Sequence, residues 1–266
     1  MIRFHYMLRN DDLTSELSSK LNDYGYYSIL LTYHSRIPDN WIKCANLINL
    51  KEKIKYMIAV RTYAISPEYC AMMCESFNRI ANDRLMLNIV SGDLHKGESS
   101  VDDVILINDY IKTQEDRVIY TRKFMEKFIN MPIMNKKPEI VITGRSDYAI
   151  ETASKYGDYG IMMLSEFLKD PKKFDSINNK IVSCSLLIRE TDKECEEFLF
   201  NLFGEDSNSS IYKSTIYGSI DTIKDKIWYF KNKYNINDFL INLYEEDTYS
   251  ENIHQFIKNI EWSDFG

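Results

Sequence analysis

Several polar residues in this 266-residue sequence come directly after short apolar runs, and their types suit ligand binding. Gly144-Arg145-Ser146 stands between the apolar run 139–143 and a helical pattern. The free N–H groups at a helix start and its positive dipole end attract phosphate, and an arginine there adds a charge-assisted hydrogen bond. The triplet therefore predicts an anion site. The alternative is an ordinary helix cap with a solvated Arg145.

Other apolar runs end in polar residues as well. His34 follows the run 27–33 and could donate a proton or anchor a ligand ring, because its unperturbed pKa lies near neutrality; a plain loop histidine is the alternative. Arg61 follows the run 54–60, and a charge that closes a buried strand needs an anionic ligand or an acidic side chain as partner. Further candidates at such positions are Tyr33, Tyr63, Asn88, Ser91, Gly92, Thr143, Ser165, Glu166 and Tyr244.

The segment 54–92 shows which elements must position these residues. Its first seven residues, IKYMIAV, are too few for a helix and suit a buried strand. Ser66-Pro67 then provides a helix cap with proline at the first helical position, and a second apolar run covers 85–90. The helix between them carries apolar residues at helical spacing: Tyr69, Met72, Met73, Phe77 and Ile80. Strand, helix and strand predict a βαβ unit with parallel strands.

The rest of the chain repeats this unit. Eight apolar runs, nearly all separated by helical patterns, predict eight parallel strands. These runs are 2–8, 27–33, 54–60, 85–90, 139–143, 159–164, 180–188 and 238–244. The count and the chain length favour a closed (β/α)8 TIM barrel over an open doubly wound sheet, and ligands of such barrels bind at the carboxyl ends of the strands. No linker rich in Pro, Gly or Ser divides the chain, which predicts one domain over 1–266.

Charge and hydropathy narrow the class of partner. The net charge is -7, with 27% charged and 44% hydrophobic residues. This balance predicts a protein with a real core and argues against nucleic acid or an anionic membrane as the main partner. No apolar run approaches the roughly 18 residues of a membrane helix, and the first residues lack the apolar core of a signal peptide.

The cysteines indicate a reducing compartment. There are five, an odd number, and none forms a CxxC pair: Cys44, Cys70, Cys74, Cys184 and Cys195. This pattern predicts reduced thiols and a cytoplasmic location. Cys70 and Cys74 are spaced to share one helix face and could hold a metal, but no second ligand pair stands nearby, so we expect core packing and no metal site.

The order of residues along 54–92 resembles the bacterial luciferase-like flavin monooxygenases, and most closely their alkanesulfonate monooxygenase branch. That branch has an arginine at the end of strand three, a Ser-Pro helix start, an Asp-Arg-Leu type of helix end and a strand ending in Asn-x-Val-Thr-Gly. The matching residues are Arg61, Ser66-Pro67, 77–84 and 88–92. Stretches that also agree are 30–41, 117–124, 188–192 and 218–244, so the resemblance spans nearly the whole chain.

The resemblance implies a two-component monooxygenase. In such enzymes, reduced FMN arrives from a separate NAD(P)H-dependent flavin reductase, and O₂ then oxygenates a small organic substrate. Many members are homodimers, and helix 66–81 could serve here as a dimer face as well as a core face. The implied cofactor-binding residues are Asn88, Ser91, Gly92, Gly144, Arg145 and Ser146, the last three at the FMN phosphate. The catalytic candidates are His34, Arg61 and Tyr244, of which Tyr244 matches a tyrosine beside the flavin.

The sequence also departs from the sulfonate branch. Ile37 stands where that branch has a cysteine, Ser183 and Ser185 stand where it has Arg-x-His, and the lid segment is cut to about 192–217. Loss of these groups argues against an anionic sulfonate, and the substrate stays open. Two alternatives remain: an oxidoreductase that uses the deazaflavin F420 for hydride transfer, and a barrel that has lost catalysis and acts as a flavin- or partner-binding protein.

Overall fold

The computed structural model describes residues 1–8, 13–33, 39–48, 52–91, 113–204, 209–244, 247 and 250–260. Within them lie nine parallel strands: β1 Arg3–Leu8, β2 Ser28–Leu31, β3 Lys55–Arg61, β4 Leu85–Val90, β5 Glu139–Thr143, β6 Tyr159–Met163, β7 Lys180–Ile188, β8 Thr215–Gly218 and β9 Asp238–Asn242. All except β8 form a closed ring, because β1 to β7 pair in sequence and β9 pairs with both β7 and β1. The prediction of a (β/α)8 barrel is confirmed.

The described helices follow the strands as expected of this fold. They are α1 Ser15–Asp23, α2 Asn40–Ala45, α3 Pro67–Ala81, α4 Gln114–Phe128, α5 Asp147–Tyr156, α6 Leu164–Lys169, α7 Asp192–Phe203, α8 Ser210–Lys213, α9 Ile220–Tyr234 and α10 Ser250–Asn259, with 3₁₀ turns at Thr62–Ala64 and Pro171–Phe174. The predicted caps form: the Ser66 hydroxyl accepts from the Tyr69 N–H at 3.1 Å. None of these helices has the length and apolarity needed to cross a membrane.

Strand β8 is the element that the sequence did not predict. Ile181–Ser183 pair with both β6 and β9, and Ser185 pairs with both β8 and β9. Therefore β8 and β6 lie on the same side of β7, with β8 covering the part of β7 that extends beyond β6. The shortened segment 192–217, expected as a reduced lid, thus ends in a strand that protects an otherwise open edge.

Side chains alternate along each strand between the inside of the barrel and the layer between strands and helices. One cluster of buried residues comes from alternate positions of the barrel strands, among them Met57, Met86, Val141, Ile181 and Leu240. The larger cluster joins the opposite strand faces to the surrounding helices. Because both faces of the strands are covered, the strands read as continuous apolar runs in the sequence.

Charged residues fill the amino-terminal end of the barrel, centred on Asp238. Its carboxylate lies 2.6 Å from Arg3 Nε and 3.0 Å from His5 Nε2. The other ring nitrogen of His5 lies 2.7 Å from the Ser28 hydroxyl, and Arg3 donates to the Tyr159 hydroxyl at 3.1 Å. His5 and Ser28 are 0% exposed, so this Ser–His–Asp series cannot meet a substrate and its role is structural.

A second ion pair extends this network across the barrel. Lys55 of β3 pairs with Glu139 of β5 and donates to the Tyr27 hydroxyl at 2.8 Å. The Tyr27 ring also lies under the Arg3 guanidinium, 4.7 Å from the centroid. Together with the Asp238 contacts, these bonds tie six of the eight barrel strands at one end. Burying such charges requires this degree of pairing.

Helix α3 packs on the barrel with a different face from the one expected. The sequence predicts an apolar stripe of Tyr69, Met72, Met73, Phe77 and Ile80, but Tyr69 is 56% and Ile80 59% exposed. Cys70, Cys74 and Ala81 are fully buried instead, with Phe77 beside them. Small residues let the helix approach the sheet closely, which larger side chains would prevent.

The five cysteines are free and buried. A hydrogen bond with Cys70, together with burial, raises the pKa of Cys74, and burial raises the pKa of Cys184 to about 12. Such thiols stay protonated near neutral pH and are unreactive. Among the described residues, no group of three or more His, Cys, Asp or Glu is placed to hold a metal ion.

Candidate functional site

A cavity of about 490 Å³ opens at the carboxyl ends of the barrel strands. This volume falls within the roughly 300–1,000 Å³ of small-molecule sites. Every one of the eight barrel strands, or the residue just after it, contributes to its wall. The described lining residues are Met7, Leu30, Thr32, Tyr33, Ala59, Arg61, Asn88, Val90, Ser91, Thr143, Gly144, Arg145, Ile161, Met162, Met163, Glu166, Ser183 and Leu240.

The wall is chemically divided. Leu30, Ala59, Ile161 and Leu240 belong to the apolar cluster inside the barrel, so they form the floor. The charged lining residues Arg61, Arg145 and Glu166 instead lie at the strand ends or just beyond them. A ligand in this cavity would therefore meet an apolar surface below and charged groups at the entrance.

The structure brings five of the predicted site residues to this one cavity: Arg61, Asn88, Ser91, Gly144 and Arg145. Their roles stay predictions. Ser146 lies next to them as the cap of α5, where its hydroxyl accepts from the Ala149 N–H at 3.2 Å. His34 and Gly92 lie outside the described residues, as does Ile37.

Asn88 has a fixed side chain. It is buried, and its Oδ1 accepts a hydrogen bond from the Thr143 hydroxyl at 2.8 Å. These residues meet because β4 and β5 pair with Asn88 opposite Val141, two residues before Thr143. The bond to Thr143 fixes the carboxamide and leaves both of its N–H donors available to a second partner. Asn88 is thus suited to bind an acceptor atom of a ligand.

Arg61 lies above a tyrosine at the cavity wall. Its guanidinium carbon is 5.6 Å from the centroid of the Tyr33 ring, a cation–π distance. The sequence predicted that this charge needs a partner, and one partner is therefore an aromatic face from the end of β2. This contact holds a positive charge beside the ligand space.

The segment Gly144 to Ser146 lies tightly against helix α5. A Cβ on Gly144 would come within 2.4 Å of the Ala149 Cβ, closer than packed carbon atoms can approach. The glycine therefore lets the loop lie against the first turn of the helix, beside its N–H groups. Arg145 is exposed and lines the cavity. This arrangement fits an anion at the helix start.

We expect Gly144→Ala to lower the free energy of unfolding by about 1–3 kcal/mol, because the added methyl group overpacks against Ala149. The double variant Gly144→Ala/Ala149→Gly should recover part of this loss by restoring the space. Chemical denaturation of the two variants measures both effects. Equal stability of Gly144→Ala and the unmodified protein would show that the close approach is not required.

Glu166, a strand-end candidate to which the sequence assigned no role, lines the cavity. It lies in α6 and pairs with Lys169 at 2.7 Å. The hydrogen bond with Lys169 lowers the pKa of Glu166, and the charge of Arg145 contributes. Its position shortly after β6 is the signal that identified it.

Tyr244 lies outside the residues that line the cavity. It is buried, and its hydroxyl is 2.5 Å from Thr215 Oγ1 of β8. Its ring packs edge-on against Phe198 and Phe203 of α7, with centroids 5.9 and 6.1 Å apart. The unpredicted strand β8 and helix α7 thus enclose Tyr244 in a separate apolar cluster.

The two serines of β7 have different surroundings. Ser183 lines the cavity, whereas Ser185 is buried and its backbone N–H donates to Ser214 at the start of β8. A small hydroxyl therefore occupies a wall position where the sulfonate branch carries a charged or imidazole side chain. The described wall near β7 offers no positive charge to an anionic substrate.

No family model matches this chain. Solved structures share its fold. A long-chain alkane monooxygenase superposes with a TM-score of 0.72 at 12% identity, over 96% of this chain and 90% of its own. A coenzyme F420-dependent tetrahydromethanopterin reductase from Methanopyrus kandleri gives 0.72 at 12%, over 100% and 99%. A type II Baeyer–Villiger monooxygenase from Pseudomonas putida, in complex with FMN, gives 0.69 at 14%, over 97% and 96%.

These similarities establish the fold that the chain shares with flavin- and F420-dependent oxidoreductases. At 12–14% identity they do not single out the alkanesulfonate branch. The chemistry of this chain must be argued from its own cavity.

Proposed function

We propose that this protein is a flavin-dependent monooxygenase that uses reduced FMN and O₂ to oxygenate a small, uncharged organic substrate. The observation that carries the proposal is the cavity at the barrel mouth, where Arg61, Asn88, Gly144 and Arg145 surround an apolar floor. The shared fold with an FMN complex and an alkane monooxygenase supports it.

The residues of the cavity suit FMN in three respects. Arg145 and the N–H groups at the start of α5 would hold the phosphate, with Gly144 allowing close approach. The Asn88 amide would donate to an acceptor atom on the edge of the ring. The apolar floor would take the ring and the substrate. When bound, reduced FMN supplies the two electrons with which O₂ is activated.

The chain would control this chemistry by placement and by exclusion of water. The floor residues Leu30, Ala59 and Leu240 offer an apolar substrate a surface without competing polar groups. Arg61, held over Tyr33, would stabilise negative charge that develops at the reacting oxygen. Among the described lining residues, β7 contributes Ser183 and no cation, which favours an uncharged substrate over a sulfonate.

Reduced FMN would come from a separate NAD(P)H-dependent flavin reductase, which places the reaction in the cytoplasm.

We also propose a homodimer formed through the outer face of α3. Tyr69, Met72 and Ile80 are about half exposed and lie on one side of this helix. An apolar stripe of this kind on a helix surface is typical of a contact with another protein.

In the dimer proposal, Tyr69→Glu/Ile80→Glu should convert the protein from dimer to monomer, because two charges would be buried unpaired at the interface. Sedimentation velocity measures the change. Ile42→Glu is the matched control, since Ile42 is equally exposed but lies on α2. Identical sedimentation of the unmodified protein and the double variant would contradict the proposed interface.

The test of the function is a titration of the purified protein with FMN, with reduced FMN under anaerobic conditions, and with reduced F420. Tighter binding of reduced FMN than of FMN, followed by O₂ consumption, is the expected result. Preferential binding of F420 would instead support a hydride-transfer oxidoreductase, which the shared fold with the Methanopyrus reductase favours as second candidate. Binding of none of them would overturn both and leave a partner-binding barrel.

A further inference from the structure

Two methionines line the proposed oxygenation cavity from the inner face of the barrel. Met7 of β1 packs against the inner apolar cluster, and Met163 lies at the end of β6, two residues after Ile161 of that cluster. Met163 is 39% exposed, whereas the intervening Met162 is 4% exposed and packs in the outer cluster beside the helices. Two further methionines inside the barrel, Met57 and Met86, are fully buried and do not reach the cavity. The cavity thus contains oxidisable sulfur atoms at a place where the proposed reaction would generate an oxidant.

We propose that Met7 and Met163 are sites of self-oxidation, converted to methionine sulfoxide when the protein activates O₂ in the absence of substrate. This inference rests on the proposed function. The thioether takes the place of the organic substrate, since its sulfur is soft, electron-rich and held within the same apolar wall.

The oxidant is a hydroperoxide, formed when O₂ accepts two electrons and two protons from the reduced flavin. A sulfur lone pair forms a bond to one peroxide oxygen, and the O–O bond breaks. The other oxygen leaves as hydroxide with the bonding electrons and takes up the proton of the oxygen now bound to sulfur, which gives water and the sulfoxide. In sum, the flavin loses two electrons, one oxygen atom of O₂ is bound to sulfur, and the other is reduced to water.

The modification would change the cavity. A sulfoxide converts a flexible apolar side chain into a polar one, and methionine sulfoxide reductases reverse the reaction. Oxidation of Met7 would place a strong hydrogen-bond acceptor in the lining of the cavity. Turnover without substrate should therefore lower the affinity of the cavity for apolar ligands until the sulfoxides are reduced.

The experiment compares two ways of oxidising the unmodified protein, each read by peptide mass spectrometry. In one, reduced FMN and O₂ are supplied with catalase, which removes peroxide from bulk solution. In the other, hydrogen peroxide is added without flavin. Met72, about half exposed on α3, reports oxidation from bulk solution, and Met57 and Met86 report oxidation of the barrel interior.

We expect reduced FMN and O₂ with catalase to give several-fold more sulfoxide at Met7 and Met163 than at Met72, and added peroxide to favour Met72 over Met7. Met162, on the outer face of the same strand as Met163, should stay unmodified with reduced FMN and O₂. Unmodified Met7 and Met163 in a protein that binds reduced FMN and consumes O₂ would overturn this inference alone. Failure to bind reduced FMN would overturn the proposed function and this inference with it.

Discussion

Asp238→Asn is expected to lower the free energy of unfolding by about 3–5 kcal/mol, the cost of removing one partner from a buried ion pair. The Asp238 carboxylate binds both Arg3 and His5 at the amino-terminal end of the barrel. Without its charge, the buried His5–Ser28 pair and the Arg3 guanidinium lose their common acceptor. Urea denaturation followed by circular dichroism measures the difference.

A matched control is Glu197→Gln, which neutralises an exposed carboxylate 3.6 Å from Lys193. Its effect should stay below about 1 kcal/mol, the usual value for surface ion pairs. A loss of less than 1 kcal/mol for Asp238→Asn would contradict the view that this network secures the barrel.

The pH dependence of stability gives an independent measure of the same network. Burial alone would raise the pKa of Asp238, but hydrogen bonds and charge from His5 and Arg3 hold the pKa below its usual value. The ionised carboxylate therefore stabilises the fold above the unfolded pKa of about 4, and this contribution is lost as pH falls through the lower folded pKa. The stability difference between the unmodified protein and Asp238→Asn should shrink across this acidic range.

Arg145→Ala is expected to weaken FMN binding by about 10- to 100-fold, the usual effect of losing a charge-assisted hydrogen bond to phosphate. Arg145 lines the cavity beside the start of α5, so its guanidinium can reach an anion held by the helix N–H groups. Riboflavin has the same ring system without the phosphate. Its affinity should be unchanged, and fluorescence titration of both ligands separates phosphate binding from ring binding.

The control for charge is Lys193→Ala, which removes one positive charge from an exposed site on α7. It should leave the affinity for FMN unchanged. Equal weakening of FMN and riboflavin by Arg145→Ala would place Arg145 at the ring or the substrate. No effect on either ligand would favour the alternative interpretation of the sequence, in which Arg145 is solvated.

The helix caps and most strands were predictable because their signals are local. Ser66 and Ser146 cap helices as their positions indicate, and β4, β5 and β7 begin and end where their apolar runs do. The four residues of β8 carry no such signal. They form a strand because β7 is longer than β6, which leaves hydrogen-bonding groups that only pairing can satisfy.

The residues that line the cavity were predictable only in part, for a reason that lies in the barrel itself. The rule that ligands bind at strand ends identified Arg61, Asn88 and Arg145, all of which line the cavity. It also selected Tyr244, which β8 and α7 enclose elsewhere. Whether a residue near a strand end faces the cavity depends on what packs beside that strand, and this is a property of distant segments.

By itself, then, the sequence determined the eight barrel strands, their parallel order and the helix start at Gly144 to Ser146, because apolar runs and caps act over a few residues. The tertiary structure decided which alternate residues of each strand point inward, since strands buried on both faces show no alternation in sequence. Closure of the barrel therefore produced both the charged cluster around Asp238 and the methionine-lined cavity above it. It also left one apolar face of α3 on the surface, where the small residues Cys70, Cys74 and Ala81 took the core side.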